Sequence, residues 1–452
     1  MKIWKCTRIC PCGIMESEYR NLIEGDYIMK LNYKRTFFVG LAFLSISAFW
    51  QMYDSIIPLI LQNTFHLPDA VTGAIMAIDN VLAVFLLPII GTLSDKVDTR
   101  WGKRTPFIVG GTIAAVIFMM LMPMADMNKQ LILFIVALAF TLLSMAMYRS
   151  PSVALMPDLT PKPLRSSANA VINLMGAIGA VYTLILIQVL VKKEDHPSYL
   201  PVFIGVAAIM IIAIVVLLLT IKEKKLAAQI AEEYPEEEQT EIHHESGKLP
   251  KDVKKSLILI LASIFLWFTA YNAVTTAFSR YAITVWKMEG GGFASCLMVA
   301  TIAAICSYIP IGVVASKSGR KKTILVGLLF MLISYTSVFF YPTYHWSANF
   351  FFALIGVGWA AVGVNSLPMV VEMSKDSDIG KYTGLYYTFS MSAQIVTPIL
   401  SGLLLQHISY NTLFPYAMFF TVCAMITMSQ VKHGDAKPIQ KENVLENFDV
   451  ED

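Results

Sequence analysis

The stretch Gly91–Phe107, GTLSDKVDTRWGKRTPF, holds four cationic and two acidic side chains between two segments with almost no charge. Ala70–Ile90 before it contains the single acid Asp79, and Pro106–Ala125 after it contains none. Apolar runs of about 20 residues are what a helix needs to cross a hydrocarbon core of about 30 Å. The strip therefore reads as a tight turn between two membrane spans. Hydrophobic residues make up 56% of the chain and charged residues 15%, where a soluble domain carries about a quarter charged. A membrane protein follows. Further apolar runs bring the spans to twelve, near 36–61, 70–93, 106–125, 130–154, 168–191, 199–221, 256–282, 293–315, 323–341, 346–371, 381–406 and 410–430.

With both termini inside, 30 of the 35 lysines and arginines fall on the inner side, leaving Lys129, Lys192, Lys193, Arg280 and Lys287 outside. This matches the positive-inside rule, so the expected location is the cytoplasmic membrane with both termini cytoplasmic and the opening strip an inner loop. Residues 222–255 are charged and poor in large apolar groups, and read as a cytosolic linker that cannot fold alone. His243 and His244 within it read as solvated, not as metal ligands. The expected domains are a cytoplasmic tail 1–35, a six-helix bundle 36–221, the linker 222–255, a second six-helix bundle 256–430 and a cytoplasmic tail 431–452.

The two halves echo each other. The second span exits as Gly91-Thr-Leu-Ser-Asp95-Lys96 and the chain resumes at Gly102-Lys103-Arg104; the eighth exits as Gly312-Val-Val-Ala-Ser316-Lys317 and resumes at Gly319-Arg320-Lys321. Repeated halves place a substrate path between them, near the bilayer midplane and opened alternately to each side. The spacing of Gly91, Asp95, Arg100, Gly102, Lys103 and Arg104 resembles the signature between the second and third helices of the major facilitator superfamily. The runs PIIGTLSDKVDTRWGKRTPFI and YRSPSVALMPDLTPKPLRSSANA are similar to those of the glycoside-pentoside-hexuronide:cation symporters and their sucrose-transporter relatives. The resemblance implies an all-α membrane protein of twelve transmembrane helices in two pseudo-symmetric six-helix bundles, the major facilitator fold. It also implies cation-coupled sugar symport, and a cytoplasmic gate at the six signature residues. Asp95 is expected to pair with Arg100 or Arg104 across the turn. Asp158 and Glu372, at equivalent inner ends of the fourth and tenth spans, are expected as gate or cap residues. Arg149 is assigned to the same gate, either reaching to the interface or pairing with a group on a neighbouring span.

Coupling needs an ionisable group inside the membrane, where a carboxylate costs about 2.5–3.5 kcal/mol on insertion scales. Asp54 lies eight residues before Gln62 and Asp79 nine after Ala70, which puts both about 12–14 Å below the outer surface at 1.5 Å per residue. On a helical hairpin the two acids can approach, and repulsion plus desolvation would favour one shared proton. A metal-cation site with Asn80 and Ser55 adding oxygens is the competing use. The melibiose-permease branch carries two acids where this chain has Ala83 and Leu87, and a third where it has Arg149, so its sodium site does not transfer and protons are favoured.

Trp50, Trp267, Tyr271 and Trp359 fall near mid-span, away from the interfacial belt where membrane aromatics concentrate. An aromatic face there can cover the apolar face of a sugar ring, and Asn272 and Gln394 at similar depth can bond hydroxyls. No Lys or Arg is expected at that depth, which argues against phosphorylated or carboxylate substrates. Drug efflux is the alternative. Antiporters of the family bear a Gly-x-x-x-Gly-Pro-x-x-Gly-Gly run on the fifth span, whereas here that span has Gly176 and Gly179 and no proline. A transporter-like nutrient sensor is an alternative of another class. No nucleophile–base set, metal-spaced cluster or phosphate loop is seen, so no enzyme activity, cofactor or nucleic-acid partner is expected; the expected partners are a neutral sugar, a coupling cation and membrane lipid, for a monomer. Cys6, Cys10, Cys12, Cys296, Cys306 and Cys423 suggest no disulfide framework. Codons for Glu24-Gly25-Asp26 can hold a ribosome-binding core before Met29, so in a bacterial source translation is expected to start at Met29, with residues 1–28 a leader.

Overall fold

The computed structural model describes residues 31–161, 165–194, 197–233, 251–373 and 379–434. The tail cysteines, His243, His244 and the expected start at Met29 lie outside the described residues. The first six helices are α1 (Tyr33–Asn63), α2 (Asp69–Lys96), α3 (Thr105–Met127), α4 (Leu131–Asp158), α5 (Arg165–Leu190) and α6 (Leu200–Thr220). A short α7 (Glu223–Glu233) follows. The second six are α8 (Lys251–Thr284), α9 (Ala294–Ser318), α10 (Arg320–Phe339), α11 (Ala348–Val371), α12 (Ile379–His407) and α13 (Leu413–Ser429). Twelve of these are long and apolar enough to cross a membrane. Helices suit that setting because every backbone group is satisfied within the segment. Large apolar side chains such as Ile132, Val189, Leu219 and Phe350 remain exposed around the outside, where lipid replaces water.

The packing repeats between the halves. In the first, α1 packs on α5 and α6, α2 on α4, and α3 on α4 and α6; in the second, α8 packs on α12 and α13, α9 on α11, and α10 on α11 and α13. Each of these contacts of one bundle has its counterpart in the other. The bundles meet along three seams, α2 with α12, α5 with α9 and α1 with α8. Small residues permit close helix approach: a Cβ on Gly179 of α5 would strike the Leu44 carbonyl of α1, and one on Gly356 of α11 the Ala300 carbonyl of α9.

The face bearing the Gly91–Phe107 turn, the start of α1 and the end of α13 is called the terminal face below. At the other, opposite face the bundles are pressed together. Gly73 backs onto the Pro398 carbonyl, Gly402 onto that of Asp69 and Gly291 onto that of Ile187, and the Gly291 N–H donates to Val191 O at 3.2 Å. Residues 223–233, expected to lack a fold of their own, are helical. The physical reason is a tether: the Glu223 carboxylate is buried against the start of α3.

Candidate transport site

Between the bundles lies a cavity of about 850 Å³, within the range of small-molecule sites. Its wall reaches Val153, Met156 and Pro157 near the terminal end of α4 and Asn169 near that of α5. The molecule is thus closed at the opposite face, with its cavity continuing towards the terminal face.

All six residues expected to meet substrate line this cavity: Trp50 on α1, Trp267, Tyr271 and Asn272 on α8, Trp359 on α11 and Gln394 on α12. Tyr271 and Trp359 stack face to face, with centroids 3.8 Å apart and planes 8° from parallel; Phe268 meets the Trp359 ring edge-on at 5.3 Å. Three N–H donors of this wall, Trp50 Nε1, Trp267 Nε1 and Asn272 Nδ2, are buried without an acceptor. Such a donor costs about 1–3 kcal/mol while it stays unpaired.

Asp54, Asp79 and Asn80 line the same cavity. Asn80 Nδ2 donates to Asp79 Oδ1 at 2.9 Å, which orients that carboxylate. Ser55 is not on the wall; its hydroxyl accepts from Gln51 Nε2 at 3.0 Å, so it is placed to steady Gln51, which does line the cavity. Of the two readings of Arg149, its position accords with the one beside a group of a neighbouring span. It lines the cavity, its guanidinium 5.8 Å from the centre of the Trp50 ring and within electrostatic reach of Asp79. The reason is that α4 runs on to Asp158, leaving Arg149 more than two turns inside the helix. A basic group is therefore present where the sequence suggested none. Asn169 and Asn173 on α5 also line the wall and were missed; their spacing of four residues on one helical face was the available signal.

The terminal-face residues form a separate cluster. Arg104 pairs with Asp95 at the end of α2 and, through Nε at 2.8 Å, with Asp158 at the end of α4. Its Nη1 also donates to the Ser94 hydroxyl. Burial alone works against the guanidinium's charge, but the two carboxylates outweigh it and hold its pKa above the ordinary arginine value. Arg100 and Lys103 are exposed, and Asp95's partner is Arg104. Of Lys103 the backbone is used: its N–H and those of Arg104 and Thr105 donate to the Glu223 carboxylate at 2.7, 2.9 and 2.8 Å, and the Thr105 hydroxyl donates at 2.6 Å. Gly102 has φ +119°, and a Cβ there would strike this carboxylate. Gly91 lies against the Ser150 hydroxyl of α4, which a Cβ would approach to 3.1 Å. In the second half Arg320 at the head of α10 pairs with Glu372 at the foot of α11, repeating the Arg104–Asp158 pair. These bonds each lie within one half, so here they act as staples of a bundle.

The first comparison concerns class. The sequence model of the Major Facilitator Superfamily matches residues 39–367 and 293–444, and the chain belongs to that superfamily. Among curated proteins it is 31% identical over 150 residues to an uncharacterised symporter, sll1374, of Synechocystis. That match covers 30% of this chain and 27% of the relative, so it spans about a quarter of the relative's length. Solved structures share the fold: the nucleoside transporter NupG (16% identity, TM-score 0.64, 89% of this chain and 100% of that one) and the xylose transporter XylE of E. coli in an inward-open conformation (13%, 0.63, 92% and 98%). A bacterial homologue of the iron transporter ferroportin in an inward-facing state is also similar (14%, 0.63, 89% and 99%). The chain is a multi-pass membrane protein of that superfamily.

Proposed function

We propose that the protein is a proton-coupled symporter of a neutral sugar or glycoside, working by alternating access in the cytoplasmic membrane with its terminal face in the cytoplasm. The observation that carries the reading is the cavity wall itself: three unpaired N–H donors beside an aromatic stack and two carboxylates. A polyhydroxylated ring offers oxygens to the donors, hydroxyl protons to the carboxylates and an apolar face to the rings. Closing the bundles on such a ligand would pair donors that have no protein acceptor.

Charge supports coupling. The described wall bears Asp54, Asp79 and Arg149 as its charged groups; with both carboxylates ionised it is one positive charge short of neutrality. Occlusion in a low-dielectric site with an unbalanced charge is costly, and one proton taken up with the substrate removes the imbalance. The acids also balance Arg149, so its presence does not call for an anionic substrate.

The test is sugar-induced alkalinisation of the medium by de-energised cells expressing the chain, across mono- and disaccharides with and without sodium. The expected result is alkalinisation with at least one sugar, lost in Asp79→Asn. Silence across the panel would refute the sugar reading, and a response that requires sodium would refute the proton.

A further inference from the structure

The sequence places Arg280 among the few cationic residues on the outer side, and it is 3% exposed. Its Nη1 donates to Asp69 Oδ1 at 2.7 Å, and the pair joins α8 of the second bundle to the first residue of α2. Asp69 is buried too, and takes two more donors: the Tyr410 hydroxyl at 2.6 Å and Gln62 Nε2 at the end of α1. Tyr410 and Gln62 also bond to each other at 2.9 Å, and the Ala70 N–H donates to Gln406 Oε1 of α12 at 3.1 Å. One carboxylate thus gathers donors from both bundles at the closed end of the cavity.

We propose that Asp69 and Arg280 form the lock of the opposite face, which must break for the cavity to open on that side. This rests on the alternating-access reading but not on the identity of the substrate. A buried ion pair loses most when one partner goes, because the other charge is stranded, so the closed face depends on both. The same interface holds a counter-force. The Thr72, Ser279 and Ser401 hydroxyls and Arg280 Nε are buried there or next to the pair without a partner, and each gains water if the face opens. Strong charged bonds thus oppose several buried polar groups without a protein partner, the balance a two-state element needs. The staples of the terminal face lie within single bundles, whereas this network crosses between them; among the described residues it is joined there by the Gly291–Val191 backbone bond and the exposed Lys193–Glu289 pair, and it supplies the buried charged tie between the halves.

The test is the rate at which a maleimide labels Thr72→Cys in nanodiscs, where both faces meet solvent, in a background with the native cysteines replaced by serine. Thr72 is fully buried. Asp69→Asn, Arg280→Gln and the pair combined, which leaves no lone charge, are each expected to speed labelling by about tenfold or more. Thr112→Cys, buried inside the first bundle, is expected to keep its slow rate. Unchanged labelling at position 72, or an equal rise at position 112, would overturn the assignment, the second because it signals general loosening. As a further check, oxidising Ala70→Cys with Gln406→Cys is expected to stop transport and reduction to restore it; undiminished transport by the cross-linked protein would refute the lock. Labelling needs no substrate, so failure of the sugar reading and failure of the lock are distinguishable.

Discussion

Replacing Glu223 by alanine tests the tether between α7 and the Gly91–Phe107 turn. The carboxylate accepts three backbone N–H groups and one hydroxyl at the start of α3, at 2.6–2.9 Å, serving as an N-cap supplied from another helix. A single lost cap costs about 1 kcal/mol, and a hydrogen bond to a charged group about 1.5–3 kcal/mol. Four such bonds set an upper bound of about 6–12 kcal/mol, but the vacated N–H groups lie at a helix end that water reaches once α7 moves away. About 2–3 kcal/mol is the expected loss, two to three ordinary caps. At roughly 2–4 °C per kcal/mol for a unit of this size, Tm in detergent should fall by about 4–12 °C. The neighbouring contact provides the control. Lys224 Nζ bonds Asp98 at 2.9 and 3.0 Å, but its partners are 56% and 67% exposed, and such pairs contribute about 0–1 kcal/mol. Lys224→Ala should therefore lower Tm by no more than about 4 °C. A Glu223→Ala protein melting within 1 °C of the parent, or a Lys224→Ala protein falling as far, would refute the reasoning.

Gly102→Ala should cost about 1–3 kcal/mol, from the positive φ and the strike on Glu223, and should combine with Glu223→Ala less than additively in thermal unfolding. Arg104→Gln should destabilise by about 1–2 kcal/mol, since it removes two ion pairs whose carboxylates, 58% and 37% exposed, are rehydrated; Arg320→Gln should cost less, as it removes one pair. Trp359→Ala removes one ring of the stack and, on the proposed sugar reading, should raise the KM for the sugar by about tenfold in uptake assays.

Much of the molecule was legible in order of residues. Twelve spans follow from run length and charge, because hydrocarbon thickness sets one simple requirement. The repeat of Gly91–Arg104 at Gly312–Lys321 indicated two matching halves, and the structure adds the Arg320–Glu372 pair, which the sequence hinted at by placing Asp158 and Glu372 alike. The six cavity residues were accessible because an aromatic or amide at mid-span is out of place against lipid. Glu223 was not. A glutamate in a charged linker looks solvated until the turn it caps is seen beside it, and the same holds for Arg280, whose position near a span end suits either the water surface or a buried pair.

Arg149 shows the division most clearly. Sequence determined that an arginine lies four or five residues from the inner end of an apolar segment, and equally that Asp54 and Asp79 sit at similar depth on adjoining helices. Which way each side chain faces was decided by the packing of α1, α2 and α4 about the cavity. Hydrophobic transfer is a property of a segment and can be read one segment at a time; the pairing of charges is a property of distances between helices. The chain alone therefore determined how many times it crosses the bilayer and that its halves repeat, while tertiary structure decided which charges meet, which donors stay dry and which face is shut.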